Sequence, residues 1–337
     1  MFDVIAFGSA TRDIFCRIKD LRLRESRETI TGKEICLPFD FKVQVEGFFV
    51  RSGGGGTNSA ATFANQGLKV AYCGMVGKDE DGEAIIKELR ARKIDTKFIR
   101  QTKKAQTNRS VIINASAWIR TILVYRGASD LLKKSEISFD EFKAKWFYLA
   151  PFSGENLGLF ADLIDFAYKN KIKVALNPGI SQLSLEKEKL EKILKKVDVL
   201  LLNREEASFL TKIPYSEEEN IFKEIDRLCP GIAVMTKGEE GVVVSDGKYL
   251  YRAPALKIEN PIDPTGAGDA FGSGFVAGLI KTGDIEYAIQ LAMANSGLCL
   301  TGWGAKEGLL KAGRSFKKTN VEKIACGGNN GICLNKT

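Results

Sequence analysis

Six short apolar runs, alternating with segments of helical periodicity, limit most strongly what this chain can fold into. Each run is almost entirely apolar, which is typical of a parallel strand buried on both faces. The runs are VIAFGSA (4–10), KVAYCGMV (69–76), KWFYLA (145–150), IKVALN (172–177), VDVLLLN (197–203) and GIAVMTKG (231–238). Amphipathic helices are predicted between several of them, at residues 57–67, 81–93, 156–170 and 216–228. The alternation predicts an α/β fold with a mainly parallel sheet and helices on both faces.

Two stretches depart from this alternation and predict a second, smaller sheet. Residues 14–50 show partial period-two alternation, and residues 108–126 indicate a hairpin that turns near residues 114–118. We expect these two stretches to form a β-sheet lid that projects from a large α/β domain. That domain would comprise residues 1–13, 51–107 and 127–325. The Gly/Asn-rich residues 326–337 are expected to form a poorly ordered tail.

Composition narrows the classes of function. With 337 residues, 44% of them hydrophobic, the chain is long enough for a large buried core. No apolar run approaches the roughly 18 residues of a membrane span, and no basic segment precedes the apolar start, so we expect a cytoplasmic protein without a membrane partner. The absence of histidine excludes His-based zinc sites, and the seven cysteines contain no CxxC pair. The net charge of +8 is spread along the chain without a nucleic-acid-binding signature, so no nucleic-acid partner is expected.

The stretch DPTGAGDAFGSGF (263–275) contains the strongest candidates for catalytic and anion-binding residues. Small residues precede a predicted helix, so successive backbone N–H groups at the helix start can bind an anion. Asp269 lies in the first turn, where the helix dipole favours an ionised carboxylate. Such a carboxylate can take a proton from a hydroxyl while the adjacent amides hold the charge on a transferring phosphoryl group. The alternative is that Asp269 only caps the helix and that the later glycines only allow close packing.

This stretch closely resembles the C-terminal signature of the ribokinase (PfkB-type) carbohydrate kinase family. Four further motifs resemble segments of that family and follow in its order. They are GGGGTNSA (53–60), GMVGKDEDG (74–82), NREE (203–206) and TKGEEG (236–241). The resemblance extends from about residue 3 to about residue 310, and the C-terminal signature is its most specific part.

The resemblance implies a Rossmann-like three-layer α/β/α fold with a small β-sheet lid, and transfer of the γ-phosphoryl group of ATP to an alcohol. Asp269 would be the base that activates the acceptor hydroxyl. Three residues would form the anion hole: Gly266, Ala267 and Gly268. Asp263 and Thr265 occupy positions at which some relatives bind an activating monovalent cation such as K⁺. The segment TGWGA (301–305) resembles the one that closes this cation site, apart from Trp303.

A nucleotide site is implied beside the run VDVLLLN. Asn203 and Glu206 follow that run at the carboxyl end of a strand, where open α/β sheets bind ligands. By resemblance, Asn203 contacts the nucleotide and Glu206 holds Mg²⁺ through water near the phosphates. The same spacing also suits a helix start, with Asn203 as N-cap and Glu206 completing a capping box. The resemblance assigns four more residues to the nucleotide site: Thr236, Gly238, Gly241 and Asn295.

A substrate site is implied by an aspartate and a glycine-rich loop. Asp13 stands at the position of the family's substrate-binding aspartate, and its carboxylate can accept hydrogen bonds from vicinal hydroxyls; the alternative is an Asx-type turn. Gly54 and Gly55 would let the backbone approach a sugar, and Asn58 offers a donor and an acceptor. The alternative is a flexible loop capped by Thr57 or Asn58. Some relatives carry lysine at the position of Gly55, so a phosphorylated acceptor is not expected.

The leading hypothesis is an ATP- and Mg²⁺-dependent kinase that phosphorylates a primary hydroxyl of a free sugar, ribose-like or a ketose. A close alternative is a nucleoside kinase acting on adenosine, inosine, guanosine or cytidine, which needs an aromatic surface for the base. Candidate aromatic residues, each more typical of a lid core, are Phe15, Phe39, Phe49 and Trp118. An alternative of another class is a noncatalytic sugar- or nucleotide-binding regulatory protein. The alternation in FKVQVEGFFV also suits a lid that pairs with a second copy in a homodimer.

Overall fold

The computed structural model describes residues 1–19, 21–29, 32–116 and 118–325, and the predicted tail at 326–337 lies outside them. The strands are β1 (Phe2–Phe7), β2 (Thr11–Arg17), β3 (Arg22–Glu25), β4 (Lys33–Cys36), β5 (Gly47–Gly53), β6 (Val70–Gly77), β7 (Asp95–Thr102), β8 (Asn108–Asn114), β9 (Arg120–Tyr125), β10 (Ala144–Leu149), β11 (Lys173–Leu176), β12 (Val199–Asn203), β13 (Ile232–Thr236), β14 (Val242–Ser245), β15 (Tyr249–Ala253) and β16 (Glu322–Ala325). The helices are α1 (Gly55–Asn65), α2 (Glu80–Ala91), α3 (Leu157–Lys169), α4 (Ile180–Leu183), α5 (Lys187–Leu194), α6 (Arg204–Thr211), α7 (Glu218–Leu228), α8 (Ala267–Thr282) and α9 (Ile285–Cys299). Within the described ranges, none of these helices has the length and apolar character needed to cross a membrane.

Ten strands form one central sheet in the order β16-β15-β14-β13-β12-β11-β10-β1-β6-β7. The strands from β13 to β7 in this order run parallel, and β14, β15 and β16 extend the sheet antiparallel. Each of the six predicted apolar runs overlaps a strand of the parallel part. These strands are apolar throughout because helices cover both of their faces. The sequence analysis did not predict β7 or the antiparallel extension.

Two hydrophobic clusters lie on opposite faces of this sheet. In β1, Ile5 and Phe7 belong to one cluster and Val4 and Ala6 to the other, since alternate residues of a strand point to opposite faces. The first cluster includes side chains of α3, α5 and α7, and the second includes side chains of α1, α2, α8 and α9. Helices therefore cover both faces, which confirms the predicted three-layer α/β/α fold.

The lid is a separate four-stranded sheet in the order β5-β2-β8-β9. β8 and β9 form the predicted hairpin, and β2 pairs parallel to β8 and antiparallel to β5. Because β2 begins at Thr11, Asp13 lies on a lid strand and not just before the lid. Residues 41–46 form no strand, although their alternation suggested one, since they are mostly exposed and bury no apolar face. β3 and β4 form a two-stranded ribbon of their own.

Small residues let α8 and α9 pack closely. A Cβ added at Gly278 would lie 2.6 Å from the Cα of Ala288, and one at Gly274 would lie 3.1 Å from the Cα of Ala292. Real Cβ atoms rarely approach backbone this closely, so larger side chains would push the two helices apart. The later glycines of the signature thus serve packing, and this role leaves the start of α8 available for chemistry.

Candidate active site

The N-terminal ends of α1 and α8 meet at the candidate site. α8 begins at Ala267, directly after Gly266, which adopts the left-handed conformation with φ of 79°. Asn58, near the start of α1, donates from Nδ2 to Oδ2 of Asp269 at 2.8 Å. A Cβ added at Gly55, the first residue of α1, would lie 3.4 Å from Oδ1 of Asp269. Two helix N-termini, each with a positive dipole end, therefore lie beside one carboxylate.

Asp269 does not cap its own helix. Gly266 occupies the N-cap position, and no side chain of the described structure caps α8. The Asp269 carboxylate accepts its hydrogen bond from Asn58 of another helix. Burial raises the pKa of Asp269, while the hydrogen bond from Asn58 and the charge of Lys306 lower it. The ionised state expected from the helix dipole therefore also depends on these two partners.

Lys306 belongs to the site, although no sequence motif marked it. It is only 4% exposed, and its Nζ donates to Oγ of Ser52 at 2.6 Å. Burial lowers the pKa of Lys306 to about 8, and the carboxylates of Glu88, Asp13 and Asp269 oppose this shift. The Lys306 ammonium group is therefore a buried cation that lies among the acidic side chains of the cleft.

Asp13 is buried on β2, directly against Gly53 of β5. A Cβ added at Gly53 would lie 1.9 Å from Oδ2 of Asp13, so only glycine leaves room for the carboxylate. Burial raises the pKa of Asp13 to about 6. The hydrogen bond from Ser110 and the charge of Lys306 oppose this rise, and the charge of Asp269 adds to it. Asp13 and Asp269 thus belong to one electrostatic environment, as their predicted roles require.

Asn58 keeps one polar atom unused. Its Oδ1 is buried and has no hydrogen-bond partner among the described residues. A buried acceptor without a partner costs about 1–3 kcal/mol, and a ligand that donates to it removes that cost. The neighbouring loop passes close to the backbone that connects β1 to β2, because a Cβ at Gly54 would lie 2.5 Å from the carbonyl oxygen of Ser9. With Asp13, Asn58 therefore gives the cleft acceptors that suit hydroxyl groups.

The predicted nucleotide residues lie at the ends of β12 and β13, where Asn203 pairs in register with Thr236. Asn203 and Glu206 form the capping box considered as the alternative. Oδ1 of Asn203 accepts from the N–H of Glu206 at 2.8 Å, and Oε2 of Glu206 accepts from the N–H of Asn203 at 2.9 Å. Burial raises the pKa of Glu206, and the bond from Asn203 lowers it. In the turn after Thr236, Gly238 and Gly241 adopt positive φ angles of 59° and 99°, which favour glycine.

The described residues contain no group of three acidic or cysteine side chains that would hold a metal ion by themselves. Glu206 fits a different arrangement, in which Mg²⁺ keeps several water molecules and takes its other ligands from phosphate oxygens. The Glu206 side chain is partly exposed, and its capping bond uses Oε2. These residues therefore fit Mg²⁺ in company with a nucleotide.

The side chain of Asn295 is taken up by contacts within the protein, and its contact with a nucleotide stays a prediction. Its side chain is fully buried. Nδ2 donates to Oγ1 of Thr62 at 3.1 Å and to the carbonyl of Ala270 at 2.8 Å, and Oδ1 accepts from the N–H of Leu310 at 2.9 Å. Both polar ends of the amide are bonded to protein, so Asn295 ties α9 to α1 and α8.

Asp263 and Thr265 are bound by a side chain of the lid. Arg120, the first residue of β9, donates from Nη1 to Oγ1 of Thr265 at 2.8 Å and to Oδ1 of Asp263 at 3.3 Å. The N–H of Gly304 donates to Oδ2 of Asp263 at 3.0 Å. Since these oxygens already accept from N–H groups, the residues do not fit the monovalent metal ion that the resemblance implies.

Trp303 connects its loop to the lid. Its ring stacks on that of Phe49 with centroids 5.0 Å apart and meets Phe15 edge-on at 5.9 Å. Phe15 and Phe49 are therefore used in this contact. Phe39 and Trp118 are 99% and 57% exposed, so the expectation that they pack in the lid core is wrong.

Comparisons with known proteins match most of the chain. A model described as pfkB family carbohydrate kinase matches residues 30–312, which contain every site residue above except Asp13. A ribokinase from Haemophilus influenzae is 28% identical over 291 residues, 84% of this chain and 87% of the relative. A cytidine kinase from Thermococcus kodakarensis is 28% identical over 187 residues, 54% of this chain and 64% of the relative. The solved structure of adenosine kinase from Sinorhizobium meliloti is similar with a TM-score of 0.75 at 22% identity, over 92% of this chain and 97% of that one.

We expect Asp13→Asn to gain stability relative to the unmodified chain as the pH rises from acid to neutral. Folding raises the pKa of Asp13 from 3.8 to about 6, so its favourable contribution is complete below pH 3.8 and is lost as the pH rises through about 6. The amide introduced by Asp13→Asn does not ionise, so the variant does not lose stability in this way. Relative to the unmodified chain, the variant should therefore gain about 3 kcal/mol between about pH 3.5 and about pH 7. Urea denaturation at a series of pH values, without ligand, measures the difference.

Asp3→Asn is the matched control for this titration. A hydrogen bond from Lys145 lowers the pKa of Asp3, so Asp3 stabilises the fold above its unfolded pKa and the contribution is lost as the pH falls. This variant should therefore lose stability relative to the unmodified chain as the pH rises. The change should be small, because the pair is partly exposed. A pH-independent stability difference for Asp13→Asn would contradict the burial of an ionisable carboxyl group at this position.

Proposed function

This chain belongs to the PfkB family of carbohydrate kinases, and we propose that it transfers the γ-phosphoryl group of ATP to a primary hydroxyl of a free sugar, ribose-like or a ketose. The coarser assignment, a sugar or nucleoside kinase with an alcohol acceptor, follows from the family and its named relatives. One observation carries the catalytic part of the proposal: Asp269 lies where the N-termini of α1 and α8 meet, hydrogen-bonded to Asn58. Phosphoryl transfer to a hydroxyl needs a base beside amide donors, and this point offers both.

Asp269 is the general base of the proposed reaction. Its carboxylate accepts the proton of the acceptor hydroxyl as the hydroxyl oxygen bonds to the γ-phosphorus, and the bond from that phosphorus to the bridging oxygen breaks to release ADP. Burial raises the pKa of Asp269, which makes it a stronger base than an exposed aspartate. The hydrogen bond from Asn58 orients the carboxylate.

The start of α8 supplies donors for the transferred group. Gly266, Ala267 and Gly268 directly precede Asp269, so the helix end that carries the base also presents backbone N–H groups. The N–H of Ala267 donates to the carbonyl of Pro264 at 3.2 Å. We therefore propose that the transferred phosphoryl group is bound chiefly by the backbone N–H groups of Gly266 and Gly268. A Cβ added at Gly268 meets no atom within 4 Å, which indicates open space at this helix end.

Asp13 and Asn58 bind the acceptor in this proposal. Both side chains are buried, and the Asp13 carboxylate and Oδ1 of Asn58 accept hydrogen bonds from sugar hydroxyls. Three carboxylates, those of Glu88, Asp13 and Asp269, act on the ammonium group of Lys306, and the guanidinium group of Arg92 acts on it as well. The three negative charges outnumber the two positive ones, which favours a neutral polyol over a phosphorylated sugar. The charge balance agrees with the glycine at position 55, where some relatives carry lysine.

The nucleotide is proposed to lie along the turn at residues 236–241 and the end of β12. Asn203 and Glu206 stand at the carboxyl end of that strand, where open α/β sheets bind ligands. The cap uses Oδ1 of Asn203, so Nδ2 is its donor toward the nucleotide. Glu206 would hold Mg²⁺ through water, and the ion, when bound, neutralises charge on the phosphates.

A nucleoside acceptor is the second candidate. The cytidine kinase relative supports it, and Trp118, exposed at the turn of the lid hairpin, offers an aromatic surface to a base. The use of Phe15 and Phe49 in the contact with Trp303 supports the smaller sugar. A noncatalytic binding protein would not need a buried carboxylate held between two helix N-termini.

A screen of acceptors tests the proposal directly. ADP release is measured with ATP, Mg²⁺ and ribose, fructose, 2-keto-3-deoxygluconate, adenosine, inosine, guanosine or cytidine in turn. We expect a sugar to exceed every nucleoside by about tenfold or more in kcat/KM, since Phe15 and Phe49 are used in the contact with Trp303 and leave a base without their aromatic surface. A nucleoside preference would support the second candidate. No turnover with any alcohol would support the noncatalytic alternative.

Asp269→Asn tests the base. The amide keeps the size of the side chain but cannot accept the hydroxyl proton, so kcat should fall by about 10²–10⁴-fold. The dissociation constant for ATP, measured by calorimetry, should change by less than about threefold, since the lost interaction belongs to the transition state. Asp165→Asn, which alters an aspartate that ion-pairs with Lys196 on the surface, should change neither value. Retained turnover by Asp269→Asn would remove Asp269 from the mechanism.

We also propose that two copies associate through the lid. β9 is an edge strand, and four consecutive apolar side chains on it are each more than a third exposed: Ile122, Leu123, Val124 and Tyr125. Exposed apolar edge strands are surfaces that proteins cover.

Leu123→Glu should convert the dimer to a monomer, because a charge on this edge opposes association. Tyr168→Glu is the control, since Tyr168 is an exposed large residue of α3 outside the lid. Size-exclusion chromatography with light scattering measures both variants. A monomeric unmodified chain at micromolar concentration would contradict the lid dimer.

A further inference from the structure

The carboxylate of Asp263 lies in the protein interior, with 1% of its side chain exposed. Oδ1 accepts from the N–H of Thr265 at 3.1 Å, from Oγ1 of Thr265 at 2.7 Å and from Nη1 of Arg120. Oδ2 accepts from the N–H of Gly304 at 3.0 Å. These four residues are called the Asp263 cluster. A metal ion needs oxygens directed toward it, whereas the oxygens of this carboxylate face N–H and O–H groups.

Arg120 supplies the positive charge of the cluster. Its side chain is only 27% exposed, and Nη1 bridges Asp263 and Thr265. Burial lowers the pKa of Arg120 and Asp263 raises it, but arginine stays protonated in proteins in either case. The guanidinium group is thus a permanent charge 3.3 Å from a buried carboxylate, which without it would be strongly unfavourable.

The Asp263 cluster is continuous with the start of α8. Thr265 directly precedes Gly266, the N-cap of that helix. Gly304 directly precedes Ala305, whose Cβ would lie 2.1 Å from a Cβ added at Gly266. The two loops are therefore packed as one unit, and whatever charge holds the cluster together also holds the backbone that opens α8.

We infer that Arg120 is the resident monovalent cation of this enzyme: its guanidinium group takes the place of the activating metal ion that the family resemblance assigns to Asp263 and Thr265. Arg120 is a positioning residue, which acts on the phosphoryl-binding amides through Thr265 and Gly304. Because it belongs to β9, the charge is part of the chain and comes from the lid, so activity needs no K⁺. The kinetic part of this inference rests on the proposed function.

Cation dependence of the unmodified chain is the first test. The protein is compared in KCl and in N-methyl-D-glucamine chloride at equal ionic strength, which keeps charge screening the same. We expect its melting temperature to differ by less than about 1 °C between the two salts, because an ion that does not bind the folded state cannot stabilise it. Its rate with the accepted acceptor should differ by less than about twofold. A stabilisation specific to K⁺, or a rate that requires K⁺, overturns the inference.

Arg120→Ala should make the activity and the stability depend on K⁺, which those of the unmodified chain do not. In N-methyl-D-glucamine chloride its kcat should fall by about tenfold or more, since small displacements of positioning groups are costly. Millimolar guanidinium chloride or KCl should restore part of the rate, and K⁺ should now raise the melting temperature. Arg120→Lys should retain more activity than Arg120→Ala, because it keeps the charge without the planar fork.

Arg126→Ala is the matched control. It removes an exposed arginine just after β9, whose Nη1 donates to Oγ of Ser153 and not to the Asp263 cluster. This variant should behave like the unmodified chain in both salts. An unchanged kcat for Arg120→Ala in N-methyl-D-glucamine chloride, or an equal loss in Arg126→Ala, overturns the inference.

The melting temperatures separate this inference from the proposed function. If the protein phosphorylates no alcohol, the proposed function fails, while K⁺-specific stabilisation that appears only in Arg120→Ala still supports a resident cation. If Arg120→Ala does not fold, the comparison of the two salts with the unmodified chain decides the question.

Discussion

The buried carboxylate of Asp263 is the constraint on which the rest of the site depends. A charge in a protein interior is tolerated when it is paired and hydrogen-bonded. Here the partners come from the loop before α8, from the loop after α9 and from the lid. Satisfying one side chain therefore fixes three distant parts of the chain relative to one another. The start of α8, which carries Asp269, takes its position from this requirement.

Features that depend on local sequence could be predicted. Runs such as VDVLLLN indicated buried strands because helices cover both faces of the parallel sheet. The place of Asp269 in the first turn of a helix followed from the small residues that precede it. β7 escaped prediction because its residues are only partly buried, and β14 because a run of four residues carries little periodicity. The spacing of Asn203 and Glu206 alone favoured a capping box, which the structure contains, whereas the metal role came from the resemblance and stays a prediction.

Contacts between distant segments could not be predicted. Arg120 is 143 residues from Asp263, and Lys306 is 254 residues from Ser52, so no local pattern records either pairing. Arg120 and Lys306 both supply positive charge to the site. The sequence analysis therefore identified the acidic residues of the site but not the basic residues that balance them. The contacts of Asn295 were missed in the same way, because its side-chain amide is bonded to residues far away in the sequence.

The contact between Asp13 and Gly53 joins the chemistry of the cleft to the assembly of the lid. β2 and β5 pair in a register that sets Thr11 opposite Gly53, and no side chain fits between that position and the Asp13 carboxylate. If β5 slid by one residue, Ser52 would come opposite Thr11 and bring a side chain into that space. Asp13, which is proposed to bind the acceptor, therefore also disfavours a shifted register between β2 and β5. A relative that replaced the residue at position 13 to accept another substrate would need a different contact to fix the register of the lid strands.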